Sequence, residues 1–382
     1  VKRLEMLPDT LGTGRADAEL IIEDKEMELE TIIREITEKI EPLDDKAMAD
    51  AWKYWDSLCK PLRGMGMLEE MVVHLAGVYG NYRPKLEKSA VVVMGADNGV
   101  VAEGVTQTGS EVTAQVLENM GERKSSVCIM AGLHGAEVVP VNIGMLVDGK
   151  HPRIINRPVK YGTDNMTKGP AMTREEALRG ILTGIEVVKE LYQQGYRLFI
   201  TGEMGIGNTT TSSACASVLL HQPVETMTGR GAGLSSEGLK RKIAAIHKAI
   251  EINKPDAGDA IDVLCKVGGL DIAGMIGVYI GGACCRTPVI IDGFISSVAA
   301  YMAAMIAPGA KEYMVAAHCS AEPAGQVMLE ALGKKAPIHA GMRLGEGTGG
   351  VALLSLYQYA LAIYDNMPSF AQGNVEEYTH QK

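Results

Sequence analysis

No Cys-x-x-Cys pair occurs among the seven cysteines, which are scattered at positions 59, 128, 215, 265, 284, 285 and 319, mostly in apolar segments such as "IGGACC" and "SACASVLL". An odd, scattered set argues against a disulfide framework and fits buried, reduced thiols in a cytoplasmic protein. A basic excess is missing too. Lys and Arg number 37 against 47 Asp and Glu, a net charge of −10, which argues against nucleic acid or an anionic membrane face as the main partner. The longest apolar runs are interrupted by Asp271 and Asp292, and the opening "VKRLEMLPDTLG" has no apolar core. Neither a transmembrane span nor an export signal is expected. There is no Walker Gly-x-x-x-x-Gly-Lys-Ser/Thr sequence, no internal repeat, and no His/Cys/Asp cluster with metal-ligand spacing. His318 and Cys319 adjoin, but neighbours on a strand face opposite sides, so His318 reads as a packed or hydrogen-bonded side chain. Cys319 has no basic neighbour to make it a catalytic thiolate.

What is present falls into two textures. At 382 residues the chain has room for one large domain and a smaller one. Residues 24–41 and 44–59 read as polar helices separated by Pro42, and 68–79 as a third, so the opening eighty or so residues are all helical. From Ala90 onward, short β-branched runs end in Gly, Asp, Asn or Ser: "AVVVMGADNGV", "AEVVPVNIGM", "YRLFITGEMG", "TPVIIDGF" and "EYMVAAHCS". Helical segments lie between most of them. That alternation predicts a parallel sheet with crossover helices, whose ligands bind beyond the carboxyl ends of the strands. A last long helix over about 347–365 is apolar enough to pack back on the sheet, and the tail after Met367 is polar.

Five presumed strand ends collect the unusual residues: 95–105, 201–211, 290–294, 316–325 and 343–350. Two of them, "TGEMGIGNTTT" and "RLGEGTGG", set a glutamate among glycines before a helix, and "IIDGF" adds Asp292. A glycine turn at a helix N-terminus offers free amides to a phosphate, so Glu203 in the first of these loops should repel the ligand the loop suits. A Gly-Glu before a helix can be an ordinary turn whose acid the helix dipole favours. Two such loops beside three further polar strand ends point to a site. "GEMGIGNTTT" lacks the lysine that would reach a β- or γ-phosphate, so a monophosphate is the better fit, and its glycines lack the order of the dinucleotide fingerprint. Downstream, "LKRK" at 239–242 usually marks a solvated helix face. In this acidic chain, next to "GRGAG", it can also supply the counter-charge for a substrate anion.

In this order, "ADNGVVAEGV", "EVTAQV", "TGEMGIGNTTTSSA", "GRGAGL", "IIDGFISS", "HCSAEP" and "RLGEGTGG" resemble the nicotinate-nucleotide:dimethylbenzimidazole phosphoribosyltransferases of cobalamin lower-ligand activation, over about residues 90–365. The resemblance implies an α/β fold, a Rossmann-like parallel sheet flanked by helices with a smaller helical domain. On this reading residues 1–85 are a helical small-domain segment, 86–350 the α/β phosphoribosyltransferase domain, and 351–382 a C-terminal helix and tail partly in the small domain. It implies transfer of phosphoribose, with inversion, from nicotinate mononucleotide to an aromatic acceptor base, without cofactor or metal, by a homodimer or a heterodimer with a homologous chain. By motif match Glu346 is the base, and Glu203 stabilises positive charge or assists the same proton transfer. Phosphate is expected at Ser320, Lys242 and the amides near Gly205, Gly207, Gly231, Gly293 and Gly349. Asp292 is expected to hold a ribose hydroxyl or a neighbouring loop, and Gln115, Met204 and Leu344 to line the substrate pocket. Two departures fall on the acceptor side: Asn98 where the family commonly has histidine, and Thr108-Gly109 where it commonly has an aromatic-proline pair. They leave the acceptor open between a benzimidazole and a phenolic or purine base. A nucleoside phosphorylase or hydrolase, or a non-catalytic nucleotide-binding subunit, are the competing classes.

Overall fold

The structure, a computed structural model, describes residues 15–378. Six strands form one parallel sheet: β1 (Ser89–Ala96), β2 (Glu137–Gly144), β3 (Ile155–Asn156), β4 (Leu198–Met204), β5 (Val289–Ile291) and β6 (Met314–Ala316), in the order β3-β2-β1-β4-β5-β6. β1 is buried along its whole length, as its near-continuous run of small and branched apolar residues requires of a strand covered on both faces. Val91 and Val93 point into one core with Trp55, Tyr357 and Tyr364, and Val92 and Met94 into the other with Met275 and Tyr279. β1 pairs with both β2 and β4, so the strand order reverses at the β1/β4 boundary. A crevice opens beyond the carboxyl ends at such a reversal.

On one face the helix Arg15–Thr37 packs against Arg174–Gln193, which in turn packs closely on the fully buried helix Leu270–Cys284. That close approach depends on glycine. A Cβ at Gly184 or Gly277 would run into the opposing backbone. On the other face the helices Asp45–Ser57 and Met67–Tyr79 pack together and against Thr348–Asn366. No helix among the described residues is long and apolar enough to cross a membrane.

The five strands expected from the sequence are all present, with β3, only two residues long, as an unanticipated edge. Two expectations need correction. Glu203 does not sit in the turn: β4 extends to Met204 because Glu203 still pairs with Met94 of β1, and the turn proper is 205–207. The 343–350 loop does not follow a strand either. It reaches the rim from a nonregular segment after a single bridge between His318 and Ile338.

Candidate active site

Loops after β1, β4, β5 and β6, together with the 341–346 segment, enclose a cavity of about 820 Å³. Two glutamates face it from different elements. Side chains alternate along β4, so Thr201 and Glu203 share a face. Thr201 meets Tyr279 in the buried helix Leu270–Cys284 at 2.8 Å, and Glu203 is therefore carried toward the start of that helix, where Asp271 lies. Both carboxyl groups are buried. Beside them stands Asn208, the first residue of the helix Asn208–Leu219, whose carboxamide donates to Glu203 Oε2, while Asp271 Oδ1 accepts the Ile272 N–H at 3.0 Å and Asp271 Oδ2 is buried without a partner. Burial, then the charge of Asp271, pushes the Glu203 carboxyl up to about 8, with Asp292 and Glu346 adding to the rise and the Asn208 bond opposing it. Asp271 is itself pushed up to about 6 by burial. Glu203 thus carries a proton at neutral pH.

The second glutamate is held by an unusual backbone. Gly345, Glu346 and Gly347 all have positive φ, at 85°, 62° and 87°. Glycine adopts that region freely, but a glutamate does so only where its surroundings impose it. Asp292 is one such constraint: its carboxylate accepts N–H groups from Gly347 at 3.2 Å and Gly350 at 3.0 Å. It therefore caps the helix Thr348–Asn366 and pins the loop carrying Glu346. His318 Nε2 lies 3.8 Å from Asp292 Oδ1. Glycine at 349 lets the helix start close over this pair, since a Cβ there would collide with the imidazole. Burial raises the Glu346 carboxyl above its ordinary value, with Asp292 contributing, and Glu346 Oε2 has no hydrogen-bond partner. A half-buried carboxylate with raised affinity for protons and an unengaged oxygen is a competent general base.

Cations stand at the cavity as well. Lys242 is fully buried, donating to Thr209 Oγ1 at 2.8 Å and to the Gly229 carbonyl at 3.2 Å. Its helix, Ser236–Asn253, turns Lys242, Ala245, Ile246 and Ala249 inward, so Lys242 shares the core face and not the solvated face that "LKRK" usually marks. Burial lowers its pKa to about 8, opposed by Glu322. Thr209 faces the cavity and Lys242 stands one layer behind it. Arg230 and Arg343 face the cavity directly.

Of the residues singled out from sequence, Glu203, Met204, Gly205, Gly207 and Gly231 line this one cavity, as do Asp292, Gly293, Ser320, Leu344 and Glu346. Lys242 and Gly349 back it. Gln115 does not reach it, being exposed on the helix Glu111–Gly121. That helix acts through Thr113, whose hydroxyl accepts the Ile206 N–H at 3.1 Å and anchors the glycine turn. Sequence reasoning passed over Asn208 and Asp271. The first was one polar residue in a run of them, and the second was read only as an interruption of an apolar stretch. Among the described residues, no three His, Cys, Asp or Glu side chains stand together as a metal site.

A family model described as phosphoribosyltransferase matches residues 40–375. A protein of Acetivibrio thermocellus named nicotinate-nucleotide--dimethylbenzimidazole phosphoribosyltransferase is 47% identical over 326 residues, 85% of this chain and 93% of its own. One of the same name from Dehalococcoides mccartyi is 44% identical over 340 residues, 89% of this chain and 97% of its own. The crystal structure of CobT from Thermus thermophilus superposes with a TM-score of 0.82 at 36% identity, over 87% of this chain and all of that one.

Proposed function

We infer the reaction from one premise: the chain belongs to the nicotinate-nucleotide:dimethylbenzimidazole phosphoribosyltransferase family. It is an enzyme, a pentosyltransferase of cobamide lower-ligand activation. On this reading it moves phosphoribose from nicotinate mononucleotide to an aromatic base, with inversion, releasing nicotinate and an α-ribosyl phosphate. The observation that carries the reading is the meeting of Glu203 and Glu346, from β4 and from the 345–347 loop, in one cavity at the point where the strand order reverses.

The chemistry needs this pairing. Nicotinate joined through its ring nitrogen is a pyridinium and leaves neutral at that nitrogen, so the general acid of ordinary glycoside cleavage is dispensable. Two tasks remain. The incoming base must lose a proton as it attacks the anomeric carbon, and the oxocarbenium-like charge must be tolerated. Glu346, with its raised proton affinity, suits the first, contributing about 10²–10⁴-fold. Glu203, in its ionised form, suits the second. Phosphate is assigned to Ser320, the amides of the glycine turn and the helix N-terminus at Asn208, with Lys242 supplying charge through the Thr209 layer. The loops at 205–207 and 345–347 need glycine for their backbone, and the carboxylate among them serves the ribose rather than the phosphate.

We further assign residues 1–85, of which 1–14 lie outside the described residues, and the final helix to a smaller unit that flanks both faces of the sheet, and we assign the chain a dimeric assembly of identical or homologous chains and a cytoplasmic setting. The test is direct: purified protein with nicotinate mononucleotide and dimethylbenzimidazole should yield nicotinate and the α-ribosyl phosphate by mass spectrometry. Consumption of the nucleotide with inorganic phosphate or water alone, with no transfer to the base, would reassign the site to a phosphorylase or hydrolase.

A further inference from the structure

Glu203 and Asp271 are two buried carboxyl groups near one carboxamide, that of Asn208, which donates to Glu203. Asp271 Oδ1 accepts the Ile272 N–H, Asp271 Oδ2 is buried with no partner, and no cation answers the two acids. The ionisable groups that face the pair are Asp97 after β1, Asp292 after β5, Glu346 from the loop over β4, and the Cys215 thiol from the helix behind. Among the described residues no Lys or Arg forms an ion pair with either acid, and Lys242 is engaged with Thr209 and Gly229. Two like charges cannot both persist in such a place without a counter-ion, so adjacent buried acids keep a proton between them.

We propose that Glu203 and Asp271, beside Asn208, hold one shared proton until the pyridinium ring of the nucleotide binds and then release it to solvent, with Asp271 a positioning residue acting through Glu203. The inference rests on the proposed donor, whose pyridinium supplies the missing positive charge. Arrival of that charge beside Glu203 does what a lysine would do and makes the doubly ionised pair stable. The balance closes over the cycle. One proton leaves when the pyridinium enters, and once transfer has turned the pyridinium into neutral pyridine nitrogen the pair again favours a proton, which it regains when Glu346 passes on the one it has taken from the acceptor base. The site thereby carries its full negative charge only while there is positive charge on the substrate to stabilise.

The experiment is calorimetric titration of the protein with nicotinate mononucleotide at pH 7 in buffers of different ionisation enthalpy. The slope of observed heat against buffer enthalpy counts protons. Wild type should release close to one per nucleotide, and nicotinate riboside, which has no phosphate to titrate, should release a similar number. Asp271→Asn should cut the release to less than about a third, because Glu203 then ionises before binding, and should move the acidic limb of kcat/KM to lower pH. A merely structural role for Asp271 would weaken binding yet leave the proton count and the limb in place. Glu203→Gln should release none. Binding by wild type with no buffer dependence overturns the inference while leaving the transfer reaction standing. Equal release from Asp271→Asn overturns it as well, and if that variant does not fold, the wild type and Glu203→Gln decide alone. No heat of binding at all with the nucleotide would instead remove the donor assignment on which the inference depends.

Discussion

Replacing Glu203 by Gln should make the protein more stable while impairing its chemistry, and the size of the gain follows from the carboxyl group's surroundings. Glu203 is 6% exposed, and burial with the charge of Asp271 lifts it from 4.5 to about 8. Between those values the folded chain holds a proton that the unfolded chain does not, so stability falls as pH rises through the window. At pH 7 the cost is the distance from 4.5, at about 1.4 kcal/mol per pH unit, or roughly 3 kcal/mol. Glutamine keeps an oxygen for Asn208 and needs no proton, which recovers most of that cost. With an unfolding entropy of about 2.1 cal/mol/K per residue, a chain of this length should gain about 3–4 °C in Tm at pH 7. The pH dependence distinguishes this cause from better packing. The difference between variant and wild type should be below about 1 kcal/mol at pH 5, grow up to pH 8 and level off above it. Thermal unfolding followed by fluorescence at pH 5, 7 and 8.5 measures it. A difference in Tm that is the same at all three values, or a less stable variant, would refute the assignment of Glu203 as a carboxyl held against its ionisation.

Four other outcomes are expected. Glu346→Gln should lower turnover at least about a hundredfold with nucleotide affinity retained, and a near-normal rate would move the base to Glu203. Because burial raises the Glu346 carboxyl above the ordinary carboxylate range, kcat at saturating nucleotide should decline on the acid side as Glu346 takes up its proton, and that limb should be absent in the Gln variant's residual kcat. Lys242→Ala and Ser320→Ala should weaken nicotinate mononucleotide much more than nicotinate riboside in direct binding, equal losses showing that neither serves the phosphate. On the acceptor side, Thr106, Gln107 and Thr108 line the cavity, with the Gln107 amide bound to the Gly233 carbonyl in place of a stacking ring. Phenol should therefore be ribosylated as well as dimethylbenzimidazole. A mass-resolved competition that yields no phenolic product, even with phenol alone, would exclude it.

The sheet was legible because its strands are short β-branched runs between Gly and Asp punctuation. That pattern depends on local sterics and on burial of both faces. β3 was not, since two residues carry no period. The carboxyl end of β4 was misread for a related reason: Thr201 and Gly202 look like turn residues, and only pairing with β1 holds them extended. Lys242 shows a different limit. A lysine in "LKRK" reads as solvated, and its burial follows from the neighbours Thr209 and Gly229 brought by distant segments. Gln115, matched by motif alone, stands exposed on its helix and outside the described cavity.

Asp271 sharpens the point. In sequence it is one acid inside "GGLDIAGMIGVYIGGACC", and its only visible effect is to break an apolar run. In the fold it opens the most deeply buried helix directly behind Glu203. Its Oδ1 accepts the Ile272 N–H in the first turn of the helix, where the dipole favours an acid, but its Oδ2 is buried without a partner beside another acid, which lowers stability. The cavity as a whole follows the same plan. Its wall carries the acids Glu203, Asp292, Glu322 and Glu346 together with Arg230 and Arg343, with Lys242 behind Thr209. A molecule with a cationic ring-ribose bond and a phosphate has opposite charge available for each. A neutral nucleoside has use for neither, and an inorganic anion only for the cations. The strain at Glu346 and the buried pair behind Glu203 are thus costs of one arrangement, acids and cations gathered around a zwitterionic substrate, and a chain freed from that substrate would be more stable without either.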